Sequence, residues 1–108
     1  MDVPEIDIAE AARRIEAGSP VFDVREPDEY VGGHVPGAQL IPLGDVMERV
    51  DEFPAVSEAL VICHVGSRSA RAVQYLRGQG IDAVNIGGGT AGWIEAGNPI
   101  ATGEDPGS

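Results

Sequence analysis

ALVICHVGSRSA, residues Ala59 to Ala70, joins five consecutive apolar residues to a short turn containing Gly66 and then to small and basic residues. An apolar run of this length, bounded by a glycine turn, reads as a strand buried on both faces, the kind that lies centrally in a parallel sheet. The residues after it predict a helix from Ser67 to Arg77, ended by Gly78 and Gly80. Strand, tight loop and helix together form one half of an α/β unit. Cys63 closes the strand, and in parallel sheets ligands bind at the carboxyl ends of strands.

Working outward, the same alternation recurs. Val3 to Ile6 is a predicted strand, and Asp7 caps a predicted helix from Ile8 to Ala17 whose Ile8, Ala11, Ala12 and Ile15 share one face. Val21 to Val24 is a further strand, followed by a short acidic helix over Pro27 to Val31 with proline in its first turn. Gly32 to Gly37 is a turn, Gln39 to Ile41 a strand, Leu43 to Val50 a helix and Asp51 to Ser57 a linking loop. Ala83 to Ile86 is the last strand, and Ala91 to Ala96 a terminal helix. The pattern predicts the α/β class with a mostly parallel sheet. A chain of 108 residues has room for one core, so residues 1–100 are expected to form one domain and the small, polar residues 101–108 a flexible tail.

Composition narrows the function. The formal net charge is −11, and all seven basic residues are arginine, which disfavours nucleic acid and anionic membranes as partners. A lysine-free acidic surface fits either life at high salt or a biased genome. No stretch approaches the roughly 18 apolar residues of a membrane span, and the first residues lack a basic region before an apolar one. A cytoplasmic protein is expected. One cysteine forms no internal disulfide, and two histidines without a cysteine cluster give no structural zinc site, so no metal or cofactor is expected.

That leaves Cys63 as an inert core thiol or a reactive group, and its setting favours the second. A loop of this kind turns backbone N–H groups inward, with the positive end of a helix behind them. An ordinary thiol, with a pKa of about 8.5, is only a few per cent ionised at neutral pH, whereas a helix N-terminus and a nearby arginine favour the nucleophilic thiolate. Between Cys63 and Ile81 the chain carries Arg68, Arg71, Arg77 and His64 but no acid, while the rest holds all eighteen. Arg77 reads as a solvated helix residue, Arg71 is open between the two roles, and Arg68, inside the loop, is expected to meet an anion. Four residues separate Cys63 from Arg68. Cysteine phosphatases place one residue more there, giving a wider cradle for a tetrahedral phosphate, and they call for a carboxylic general acid that this sequence does not identify.

Three segments in order, VFDVREPDEYVGGHVPGAQLIPL from Val21 to Leu43, CHVGSRS from Cys63 to Ser69 and NIGGGTAGW from Asn85 to Trp93, resemble single-domain rhodaneses, the thiosulfate sulfurtransferases. The resemblance spans about Ile6 to Pro99. It implies a rhodanese-like fold, a five-stranded mostly parallel sheet flanked by helices on both faces. It also implies sulfur transfer through a Cys63 persulfide, from thiosulfate or a similar anionic donor to a thiol or cyanide. Arg68 is implied to bind the donor, and His64, Val65, Gly66, Ser67 and Ser69 to hold the persulfide. The loop differs from the CG-rich loop of mercaptopyruvate sulfurtransferases in His64 and Arg68, which favours a dianionic donor. Two other readings use the same residues: a persulfide carrier for a dedicated sulfur-accepting protein, and a noncatalytic interaction module, known among relatives that lack the cysteine.

The remaining motif residues have plainer readings. Asp23 and Arg25 are expected to form a buried pair that fixes a turn, with support of the active loop as the alternative. His34 reads as a hydrogen-bonded structural histidine. Gly87 to Gly89 lacks the GxGxxG pattern of a phosphate loop and is expected to allow a close approach to the active loop. Trp93 is expected to pack the last helix onto the core.

Overall fold

Residues 3–107 are described by a computed structural model. In chain order the elements are β1 (Glu5–Ile6), α1 (Ile8–Glu16), β2 (Val21–Asp23), α2 (Pro27–Gly32), β3 (Gln39–Leu40), two 3-10 turns (Leu43–Asp45 and Val50–Glu52), β4 (Glu58–Ile62), α3 (Ser67–Gly78), β5 (Asp82–Ile86) and α4 (Gly89–Glu95). The five strands lie in the order β1-β5-β4-β2-β3 and every neighbouring pair is parallel. The apolar run around Val61 is therefore the middle strand, as its composition predicts.

Successive side chains of β4 point to opposite faces, and each face is buried by a different set of helices. Ala59, Val61 and Cys63 belong to one cluster with Phe22, Val24 and the α3 residues Ala72, Val73 and Leu76. Leu60 and Ile62 belong to the other, with Ala11 of α1, Tyr30 of α2 and Trp93 of α4. A sheet covered on both sides by apolar residues must place its openings at its ends. The loop after β4 lies at one such end.

Several expectations change in detail. The helix predicted from Leu43 to Val50 is two 3-10 turns joined by hydrogen-bonded turns, with Asp45 N–H donating to the Pro42 carbonyl at 2.8 Å and Glu52 N–H to that of Arg49 at 3.0 Å. Leu43, Val46 and Val50 do bury at helical spacing, yet Gly44 and the two valines weaken a sustained helix. The second turn also takes up the start of the predicted Asp51 to Ser57 loop. The first strand is shortened to Glu5–Ile6 because Pro4 has no N–H to give, although its carbonyl accepts from Asn85 N–H at 2.8 Å. The last helix starts earlier than predicted, at Gly89.

The segment after Ile100, expected to fray, makes defined contacts. Ala101 and His34 exchange backbone hydrogen bonds of 2.9 and 2.8 Å, and Gly37 N–H donates to the Pro106 carbonyl at 2.9 Å. The buried His34 ring lies against Tyr30, its Nδ1 2.7 Å from the Tyr30 carbonyl and its Nε2 3.0 Å from that of Asp105. The turn at Gly32 to Gly37 supplies free backbone groups that the short tail can satisfy, which composition alone does not reveal.

Candidate active site

The loop between β4 and α3 wraps over the sulfur of Cys63. Gly66, with φ +111°, occupies the left-handed conformation that starts α3 and turns its N–H back onto Sγ at 3.1 Å. The Ser69 hydroxyl lies 3.3 Å from the same sulfur, and the Val65 and Ser69 amides add to the donors around it. Burial opposes ionisation of this thiol, and the hydrogen bonds from Ser69, Gly66 and Val65 together outweigh it, so its pKa lies below the ordinary thiol range. Cys63 has no exposed surface beneath this loop.

Ser69 has one hydroxyl proton and two partners. Its oxygen lies 2.5 Å from Asn85 Oδ1, which fixes it, while Asn85 Nδ2 donates to Glu5 Oε1 at 2.8 Å and to the Gly66 carbonyl at 3.2 Å. A protonated thiol gives its own proton toward Ser69 as Ser69 gives to Asn85; a thiolate receives the Ser69 proton instead. Asn85 is an amide buried within an otherwise apolar run, and that incongruity is the sequence signal for it.

The amides point inward because α4 holds the loop carbonyls outward. Thr90 N–H and hydroxyl donate to the Cys63 carbonyl at 2.8 and 3.1 Å, and Ala91 N–H donates to that of His64 at 3.0 Å. Gly89 makes this possible. A Cβ there would stand 2.6 Å from the Cys63 carbonyl oxygen and closer still to that of His64, at φ +59°. The close approach expected of Gly87 to Gly89 is thus centred on Gly89.

Arg68 is not left open for an anion. Its two terminal nitrogens donate to Glu29 Oε1 and Oε2 of α2 at 2.8 and 2.9 Å. This bond draws Glu29 down to about 2, against the opposing effect of burial, and pushes Arg68 further up. Cys63 is near enough to Arg68 for their charges to act on one another. Asp23 and Arg25 form the buried pair: Arg25 Nε donates to Asp23 Oδ1 at 3.0 Å, and NH2 to Oδ2 at 2.9 Å and to the Gly33 carbonyl at 2.7 Å. His64, Val65 and Ser67 face solvent. Arg71 points elsewhere, lining a groove of about 200 Å³ with Leu43, Met47 and Tyr75, and it is the only arginine without a carboxylate partner among the described residues. Beside the loop a cleft of about 350 Å³ is bounded by Asp28 and Glu29 of α2, Gly33, His64, and Ala91 and Ile94 of α4.

The family model described as Rhodanese-like domain matches residues 7–96. YtwF of Bacillus subtilis (strain 168) is 36% identical over 95 residues, covering 86% of this chain and 92% of that protein. A protein named sulfurtransferase from Allochromatium vinosum is 33% identical over 105 residues, covering 94% and 98%. The crystal structure of a rhodanese-related protein from Thermoplasma volcanium superposes with a TM-score of 0.86 at 35% identity, covering 91% of this chain and 97% of that one. No helix among the described residues is long and apolar enough to cross a membrane.

Proposed function

The chain belongs to the rhodanese-like domain family, and from that premise we propose that it is a sulfurtransferase working through a persulfide on Cys63. The observation that carries this reading is the pair of donors on one sulfur, the Gly66 amide at 3.1 Å and the Ser69 hydroxyl at 3.3 Å. Donors converging on one sulfur favour an anion there, even with the Ser69 proton shared with Asn85. They suit a thiolate first and the negative outer sulfur of a persulfide afterwards.

In the first half-reaction the Cys63 thiolate attacks the outer sulfur of thiosulfate or a similar donor. A new S–S bond forms, the bond between that sulfur and the sulfonate breaks, and sulfite leaves with the electron pair. In the second, cyanide or a thiolate takes the outer sulfur and Cys63 returns as a thiolate. Arg68 acts through its fixed charge near the sulfur, since Glu29 already occupies its terminal nitrogens. His64, Val65, Gly66, Ser67 and Ser69 form the wall around the transferred atom. We place the reaction in the cytoplasm, where a lone thiol stays reduced.

The test is the mass of the intact protein after thiosulfate treatment, with sulfite removed. One added sulfur atom is expected, returned on addition of cyanide as thiocyanate, with none on Cys63→Ser. An unchanged mass with the cysteine present sinks the proposal and leaves the interaction-module reading in its place.

A further inference from the structure

The cleft beside the active loop is acidic despite the arginines around it. Arg25 is paired with Asp23, and Arg68 with Glu29, so neither offers a free guanidinium to a ligand in the cleft, while Arg68 keeps its short-range effect on the sulfur. Asp28 faces the cleft from the exposed first turn of α2, and it also lines an adjoining hollow together with Glu104. Neither of these carboxylates has a cationic partner among the described residues. They add to a chain whose formal net charge is −11.

Apolar side chains open to water also stand at the cleft. Ile94 on α4, a residue of its wall, is 49% exposed, and Ile100 43%. Ile100 stands next to one residue of the wall, its Cδ1 3.2 Å from where a Cβ on Gly33 would lie. An uncovered aliphatic side chain and an unpaired carboxylate on one cleft wall suit a partner that brings both apolar and basic groups. Two residues of the cleft adjoin Cys63: His64 follows it in the loop, and Thr90 N–H donates to its carbonyl at 2.8 Å.

Resting on the sulfur-transfer reading, we infer that the acceptor is a thiol of a partner protein, carried on a segment with basic and apolar side chains that docks on this rim. The apolar side chains cover Ile94 and Ile100, and the basic ones meet Asp28 and Glu104. Cations beside the acceptor's cysteine also favour its thiolate. That thiolate, its proton released to water, attacks the outer sulfur of the Cys63 persulfide. The S–S bond breaks, Cys63 leaves as a thiolate, and the partner carries the persulfide away. The field acts in opposite directions on the two halves of the cycle. It repels the thiosulfate dianion and attracts the basic acceptor, so salt speeds loading and slows transfer.

The test uses three short peptides, each with one cysteine: one flanked by lysine and leucine, one with glutamate replacing lysine, and one with serine replacing leucine. The full chain is loaded with thiosulfate, its added sulfur is verified by mass, and the rate of sulfur transfer to each peptide is followed. The lysine peptide is expected to react about tenfold or more faster than the glutamate peptide in dilute buffer, with the ratio approaching one at roughly 1 M salt. Asp28→Lys and Glu104→Lys, singly and together, should shrink the ratio, and the serine peptide should lag the leucine peptide on the native chain but not on Ile94→Ser. Equal rates for the charged peptides on loaded protein, or a ratio indifferent to both lysine variants, overturn the docking alone. Failure of thiosulfate to add sulfur overturns the transfer reading and the docking with it.

Discussion

Two neighbouring loops leave the same end of the sheet, and they make opposite use of one design. The loop after β4 and the loop after β5 each start a helix from a left-handed glycine, Gly66 at φ +111° and Gly88 at φ +86°, and neither helix has a side-chain cap. Both therefore present uncapped N–H groups. In the first loop the Gly66 amide meets the Cys63 sulfur; in the second the Thr90 and Ala91 amides meet the carbonyls of Cys63 and His64. One loop is a cup and the other a clamp. Helix-start geometry supplies the donors in both, and the facing group decides what they do.

Removing what each loop grips tests that division. Cys63→Ser empties the cup and leaves the clamp, so sulfur loading should vanish while the thermal midpoint moves little; turnover above the solution rate breaks the comparison. Gly89→Ala attacks the clamp instead. The new Cβ meets two loop carbonyls at a left-handed backbone, which should cost about 3 kcal/mol or more and lower activity at any pH. Denaturant unfolding of this variant measures it, and native-like stability would show that α4 does not hold the loop.

A smaller effect is expected where the two loops meet. Ser69→Ala removes the donor that joins the sulfur to Asn85 and should cost about 1–2 kcal/mol. Because the lost hydrogen bond favours the thiolate, the acid limb of the pH profile for sulfur loading should move toward higher pH, with activity recovering in alkaline buffer. An unmoved limb would assign the ionisation to the backbone donors alone.

The smallest effects concern the charges outside the cup. Glu29→Gln weakens the hold on Arg68 and should cost about 1 kcal/mol, a partly exposed pair being well screened. The sign with pH is definite. Glu29 is held near 2 rather than at its ordinary 4.5, so its stabilisation is complete above about pH 4.5 and is lost as pH falls through about 2. Acid titration of stability should thus be flatter between these limits in the variant. Arg71→Ala, with no carboxylate to release, should stay within about 0.5 kcal/mol of the native protein.

How far these features were legible depends on the range of the interaction. The β4 strand, the glycine turn and α3 follow from consecutive residues, and the position of Cys63 follows from them. The 3-10 turns near Leu43 show the limit of apolar spacing, which gives burial but not the hydrogen-bond pattern. Local charge counting placed Arg68 in an acid-free segment, yet its partner Glu29 lies 39 residues away on another helix. Asn85 and Glu5, which fix Ser69, come from strands whose adjacency sequence order does not state.

The α/β class, the place of the thiol at a strand end and the tight loop above it follow from local sequence, because apolar periodicity, helix starts and glycine breaks act over a few residues. Tertiary structure alone decided which amides reach the sulfur, that Arg68 is committed to Glu29, that α4 turns the loop carbonyls outward and that the tail meets His34. Those outcomes depend on distances between groups far apart in the chain, and hydrogen bonds and ion pairs fall away within a few ångströms.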